Sequence, residues 1–564
     1  MTRNFVWPLH LFLALLLSAL TVASGNSLLA HSPFLIPFDE TGDLYVLDGA
    51  CACVLRITPD EEISIAVTTQ AITGLTGKST VFFDNEGIVF DPRDGTMYFV
   101  ESDTETILRK TPDGTLAVFA KESDVLPALP GATNIDLDEL KFGVDGILYA
   151  TDDENDAVLR FDPETGDASV LADRAAFNAA ISLTELDLEK GLVASENGLL
   201  YVFSDGDPEA VFSVCPNGTV SVVLSGAPLI DPDQFAARTP DGDILIYDDG
   251  GDDTVDDVIR RITPGGTASN FLTQSQIGAV TGGPQPAGRG FAFDDSGAFY
   301  LAENNAGILR FDKDLNGIRL VTAQQISQIT GISPDFGGIA FAPVFKLYFA
   351  QFANGLGLFS QIHLIALSTS YATTAEITLK TPSGGPLSVA LDGEQVNGLL
   401  EDVMIPASGS LVLSTDGEGD LVQGSATVCS DLPLAGVIVF GGTTGLAGVP
   451  SSQALSGGFI APIKEEGSPP SIRTGFAVMN LEFEAVTLNL ALLDPDGIVL
   501  ATAQLSIPAM GQLTTFADEI QWSTTIDFSM FDGSIRVSVD GKTGAAVIQL
   551  RPGQFATMPV APID

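Results

Sequence analysis

Six tyrosines constrain the architecture of this chain. Tyr45, Tyr98, Tyr149, Tyr201, Tyr247 and Tyr300 follow one another at intervals of 53, 51, 52, 46 and 53 residues. Each sits in a short apolar strand: LYVLD, MYFVE, LYATD, LYVFSD, LIYDD and FYLAE. A further strand follows, as VLRITPD at 54–60, ILRKTPDG at 107–114, VLRFDPETG at 158–166, VFSVCPNG at 211–218, IRRITPGG at 259–266 and ILRFDKD at 308–314. Pro with Asp, Asn or Gly is turn chemistry, because Pro presets φ and Gly or Asn accepts a positive φ. Another strand comes after the turn (TLAVFA, TVSVVLSG, IRLVTA), and a fourth precedes the tyrosine (GIVFD, ELKFG, GLVAS, FAART, GFAFD). Four short strands at a fixed period are the signature of propeller blades. One such sheet cannot bury both faces alone, so neighbours must close into a ring. The six matches predict an all-β chain that opens with a six-bladed β-propeller over residues 32–343. Phe336–Pro343 (FGGIAFAP) reads as one extra innermost strand. It either closes the ring against the N-terminal strands, which is the expectation, or opens a partial seventh blade.

The stretch Asn85–Arg109 (NEGIVFDPRDGTMYFVESDTETILR) begins an inner strand with a Glu-Gly pair and places an acid after the second strand. In this it resembles the six-bladed NHL-repeat and gluconolactonase-like (senescence-marker) propeller superfamily, with a looser likeness over most of 32–343. The resemblance implies a metal-dependent lactonase-type hydrolase with Glu86 as a metal ligand. Such enzymes also use an Asn and an Asp at the starts of other inner strands. The present chain has Asp138, Glu189 and Asp233 there and no Asn.

From about Leu347 the tyrosine period stops and a different duplication begins. IPASGSL at 405–411 recurs as IPAMGQL at 507–513, 102 residues later. GSATVCSDLPLAGVIVF at 424–440 resembles GSIRVSVDGKTGAAVIQL at 533–550. Alternating strands such as TAEITLK and TLNLAL are half-buried by pattern. The copies read as two immunoglobulin-like β-sandwiches over 346–460 and 461–564, without the antibody Cys–Trp–Cys pattern. They are similar to duplicated sandwich modules at the C-termini of secreted bacterial proteins.

The N-terminus reads as an address. Arg3, the apolar run Leu11–Val22 and the small residues Ala23, Ser24 and Gly25 form a signal peptide over 1–24. No later run of 18 apolar residues exists, so no membrane insertion is expected after cleavage, and the chain reads as secreted, extracellular or held in the cell envelope. Cys51 and Cys53 either form a small ring in an oxidising compartment or remain two reduced thiols. The net charge of −48 excludes a nucleic-acid partner, since a phosphate backbone would be repelled everywhere.

The histidines are too few for catalysis of the familiar kinds. Beyond His10 in the leader the chain has only His31 and His363, which argues against a Ser-His-Asp triad or a multi-His zinc site. Carboxylates are plentiful instead. Counting back four residues from the last apolar residue of the inner strands gives Glu86, Asp138, Glu189 and Asp233, with Arg289 and Phe34 at the remaining two positions. Four acids around one channel mouth repel one another unless protons or a cation lie between them, and oxygen donors suit Ca2+ or Mg2+. The expected site is therefore a Ca2+ held by Glu86, Asp138, Glu189 and Asp233. The plain alternative is four solvated carboxylates, because a one-residue slip in register turns alternate side chains away. A second acidic column, Asp48, Glu101, Asp152 and Glu303 with Asp205 and Asp249 as near equivalents, is expected at the same end of the ring. The column Arg56, Arg109, Arg160, Arg261 and Arg310 reads as blade-to-blade ion pairing. The function these residues support first is a secreted binding or scaffold protein with an acidic propeller face for an extracellular ligand, cation or protein. The hydrolase is the alternative.

Overall fold

The computed structural model describes residues 42–563, apart from 84–86, 182–185, 230–231, 249–257, 284–287, 295, 443–444, 468–470 and 552–553. The expected signal peptide, Phe34 and Glu86 lie outside the described residues. No helix among the described residues is long and apolar enough to cross a membrane. The chain divides between Val344 and Phe345 into two compact units.

The first unit is a β-propeller, and among the described residues its strands form six four-stranded antiparallel sheets. The strands that precede the tyrosine strands, such as Leu137–Phe142, Leu188–Ala194 and Pro232–Arg238, lie innermost and neighbour one another in a closed cycle. The tyrosine strands are buried on both faces, as in Met97–Glu101, Leu148–Asp152 and Leu200–Ser204. They therefore read as continuous apolar runs rather than as alternating ones. The sheet made of Leu44–Asp48, Cys53–Ile57 and Ile63–Val67 takes its innermost strand, Phe336–Phe341, from the far end of the unit. Leu44 pairs with Phe341, Tyr45 with Ala340, Val46 with Ile339 and Asp48 with Phe336. The extra strand thus closes the ring and opens no further sheet.

Each outermost strand of four sheets runs into a short helix: Thr69–Thr76, Arg174–Ala180, Gln274–Thr281 and Ala323–Thr330. Thr68, Asp173, Thr273 and Thr322 cap their first turns by accepting a backbone N–H. Three of these helices stop at a left-handed glycine, Gly77, Gly282 and Gly331.

Two details of the repeat differ from the expected alignment. In the fifth sheet the residue opposite Arg261 is Leu245, and Tyr247 lies two positions further along. The acidic column therefore continues through Ser204 and Asp248, not Asp205 and Asp249. The arginines also act within sheets. Arg56, Arg109, Arg160 and Arg310 each lie directly across from a tyrosine of the same sheet. Arg310 Nε donates to the Tyr300 hydroxyl at 2.9 Å, while Arg56 and Arg261 pair with Asp43 and Asp243 at 2.5 Å. Arg160 Nε donates to the Ser169 hydroxyl of its own sheet at 3.0 Å, so each of these contacts stays within one blade.

The second unit holds two modules with one topology. In the first, Phe345–Asn354, Val422–Ser430, Thr373–Lys380 and Leu399–Ile405 form one sheet in that order. Ser410–Ser414, Phe359–Ala366, Leu434–Gly442 and Gly445–Pro450 form the other. Both contribute to one core containing Phe349, Phe352, Ile362, Leu364, Ile377, Val428 and Ile438. The second module repeats the order of these eight strands; it adds Ala561–Pro562 beside Leu455–Glu466, has no counterpart among the described residues to the hairpin of Ser388–Leu391 and Glu394–Asn397, and runs two of the strands together as Met530–Arg551, a single strand of 22 residues. Its first half pairs with Leu455–Glu466 and Val486–Leu493, and its second half with Arg473–Asn480 and Gln554–Met558. One strand thus serves both layers, where the first module has a turn at 431–433. The strand order also departs from the immunoglobulin arrangement, in which the first strand shares a sheet with the second. Here Phe345–Asn354 lies beside Val422–Ser430, and Phe359–Ala366 is in the other sheet.

Candidate functional site

Both acidic sets belong to one end of the propeller, because each inner strand starts beside the end of its tyrosine strand. Phe336 is paired with Asp48, Leu137 with Asp152, Leu188 with Ser204, Pro232 with Asp248 and Gly288 with Glu303. The residue that follows each of these inner partners is Gly337, Asp138, Glu189, Asp233 or Arg289. These five backbone positions are therefore equivalent. Every one of the five strands then departs from regular register by a bulge. The bulges in Leu188–Ala194 and Pro232–Arg238 hold one residue more than the others, and this offsets a count that starts from Val193 and Ala237, one residue short of the far ends, so that four back still lands on Glu189 and Asp233.

Of the four expected ligands only Asp138 has a described side chain, and it is fully buried. Adjacent inner strands approach closely here: Gly87 N–H donates to the Asp138 carbonyl at 2.8 Å, and a Cβ on Gly87 would lie 2.3 Å from the Leu140 nitrogen. Glu139, next along, is buried, and its Oε1 accepts from Lys141 Nζ at 2.7 Å. Burial pushes the Glu139 carboxyl up, and Lys141 opposes the shift. Among the described residues no three His, Cys, Asp or Glu side chains gather into a metal-binding group.

The second acidic column has a structural task that the sequence reading missed. Asp48, Glu101, Asp152, Asp248 and Glu303 are all buried. Each of the first three ties the loop after its own strand to the segment that leads into the inner strand. Asp48 Oδ1 accepts from the N–H groups of Ala50 at 3.0 Å and Asp335 at 3.1 Å. Asp152 Oδ1 accepts from Asp136 N–H at 3.1 Å and from the Asn155 amide at 3.1 Å. Glu101 Oε1 accepts from Phe82 N–H at 3.2 Å and its Oε2 from the Thr104 hydroxyl. Ser204 does the same with its hydroxyl, accepting from Asp187 and Gly206 at 3.3 and 3.1 Å. Asp248 pairs with Arg260 instead. Burial pushes the Asp152 carboxyl up to about 6 against the pull of its hydrogen bonds, and Asp48 is raised for the same reason. A signal for this role was present in sequence, since a loop acid that only faced solvent need not recur at one strand position.

The loop after Asp48 carries a further brace. Cys51 and Cys53 form a disulfide with Cα atoms 5.2 Å apart.

No family model and no curated protein sequence matches the chain. Solved structures are similar to it at low identity. A chain of a nidogen–laminin complex shares 12% identity over 53% of this chain and 98% of its own, with a TM-score of 0.37. A streptogramin B lyase shares 16% over 45% and 70%, with a TM-score of 0.31. A gluconolactonase from Xanthomonas campestris shares 13% over 47% and 84%, also at 0.31. At these scores none of the three bears on what this chain does.

Proposed function

We propose that the chain is an exported binding or scaffold protein whose six-bladed propeller presents one acidic end to a ligand, with the two sandwich modules as spacer or attachment domains. The single observation that carries this reading is the backbone equivalence of Asp138, Glu189 and Asp233 at the starts of consecutive inner strands. Residues at one repeat position converge on the axis of a ring. Glu86 lies outside the described residues and enters the proposed set from the sequence alone, as the residue before Gly87. Convergent carboxylates favour a hard cation, and Ca2+ is the proposed occupant. Excess CaCl2 is expected to raise the melting temperature relative to chelator, by the stabilisation of about 2.7 kcal/mol that a ligand at 100 times its Kd supplies. Glu86→Gln with Asp233→Asn is expected to remove the shift. An unchanged shift in that double variant, or none in the parent, overturns the cation site. Turnover of simple lactones by the calcium-loaded protein, lost in Glu86→Gln, would replace the binding reading with the lactonase-type hydrolase.

Export is part of the proposal. The Cys51–Cys53 bond supports it, because disulfides persist in oxidising compartments. N-terminal sequencing of the exported protein is expected to begin after Ala23 or Ser24, and recovery of Met1 would refute the cleaved leader.

A further inference from the structure

The seam between the two sandwich modules is packed on one side and open on the other. Tyr348, Ala350 and Val449 of the first module form one apolar cluster with Ala477, Met479, Leu481 and Ala546 of the second. Gln512 Nε2 reaches across to Gln351 Oε1 at 2.8 Å and to the Ala350 carbonyl. Next to this cluster lies a cavity of about 140 Å3, walled mainly by Phe359, Phe440, Phe476, Phe516, Ile548 and Phe555. Phe359, Phe440 and Phe555 are only half-buried, so the cavity is reachable from solvent.

Its walls are held in place. Phe359 lies across Gly441, where a Cβ would come within 1.9 Å of the ring, and Phe516 lies across Gly475 at 3.1 Å. On Phe516 the Arg473 guanidinium stacks 3.8 Å from the ring centroid, and Asp518 and Glu519 hold that guanidinium at 2.5 and 2.8 Å. An apolar space framed by fixed rings cannot collapse without losing those contacts.

We propose that this cavity is a binding site for a neutral single-ring aromatic group. The space between the rings matches one ring in size, since an engineered apolar cavity of about 150 Å3 takes benzene; its open side lets a substituent of that ring reach solvent. The ring-lined wall selects an aromatic over an alkyl group through edge and offset contacts. Charge selects a neutral ligand: none of the residues lining the cavity is charged, so neither an anion nor a cation finds a counter-ion there, and the Arg473 guanidinium on Phe516 is already shared by two carboxylates.

The test uses the full chain with toluene, followed by saturation-transfer NMR and by melting temperature. Toluene is expected to bind with a Kd of about 1 mM or tighter, and benzoate about tenfold more weakly. Ala447→Phe, which fills the cavity from a half-buried edge position, is expected to weaken toluene about tenfold while leaving far-UV dichroism unchanged. Thr514→Leu gives a second filling variant should Ala447→Phe fail to fold. Equal toluene binding in a folded filling variant, or benzoate binding as well as toluene, overturns the proposal. A dimer in sedimentation that Ala447→Phe dissociates would also overturn it, assigning the seam to a second copy of this chain.

Discussion

Phe336→Ala is expected to lower the stability of the propeller by about 3–5 kcal/mol, the usual cost of truncating a buried phenylalanine. Phe336 is 1% exposed and packs with Leu44, Val46, Tyr300, Ile308 and Ile339 where the first sheet meets the last. Its effect goes beyond a local cavity, because the strand it begins joins chain segments 287 residues apart, as measured by the bond from Asp335 N–H to Asp48. Closing so long a loop costs entropy that only contacts such as this one repay. Six of the eight tyrosines lie in the propeller, so urea unfolding followed by tyrosine near-UV dichroism reports on it selectively. Ile365→Ala, at a position 51% exposed in the first C-terminal module, is expected to leave that transition within about 0.5 kcal/mol of the parent. Equal midpoints for the two variants would contradict closure through this strand.

The second C-terminal module is expected to lose stability as pH rises from about 5 to 8, at up to about 1.4 kcal/mol per pH unit at the steepest. The cause is Glu465, whose buried carboxyl is pushed up to about 8 from an ordinary value of 4.5. Its Oε1 accepts from Thr474 N–H at 2.8 Å, but the pull of that bond is smaller than the cost of burying the charge. Asp518 and Glu519 raise it further, while Arg473 lowers it. The sign follows from the two states. Below 4.5 the group is neutral in both, so nothing is lost. Between 4.5 and 8 the unfolded chain ionises and the folded one does not, so unfolding is favoured progressively. Above 8 both are ionised and the loss stops growing. Trp522 belongs to this module, its Nε1 donating to the Ala517 carbonyl at 2.9 Å, and its fluorescence reports the transition. Glu465→Gln keeps the acceptor for Thr474 and is expected to flatten the dependence. A slope that survives in Glu465→Gln would place its origin elsewhere.

The period of the tyrosine strands, the turns after them and the later duplication determined by themselves that the chain is all-β, with a propeller ahead of two related modules. Those signals are local: turn chemistry and strand composition act over a few residues and repeat along the chain. Only tertiary structure decided what depends on partners remote in sequence. That Phe336–Phe341 closes the ring is decided by its pairing with Leu44–Asp48, since an innermost strand looks the same whichever sheet it joins. The true position of Tyr247 was hidden because strand composition tolerates a two-residue offset that only cross-strand pairing reveals. Recurrence of Asp48 and Asp152 at one strand position signalled a shared structural role, but which loop N–H groups they accept from was decided only by the fold, because those donors lie on remote segments. The two-layer strand Met530–Arg551 differs from its counterpart only where Asp-Leu-Pro at 431–433 breaks the first copy. Whether a chain turns or runs on at such a place is set by the layer waiting on the other side.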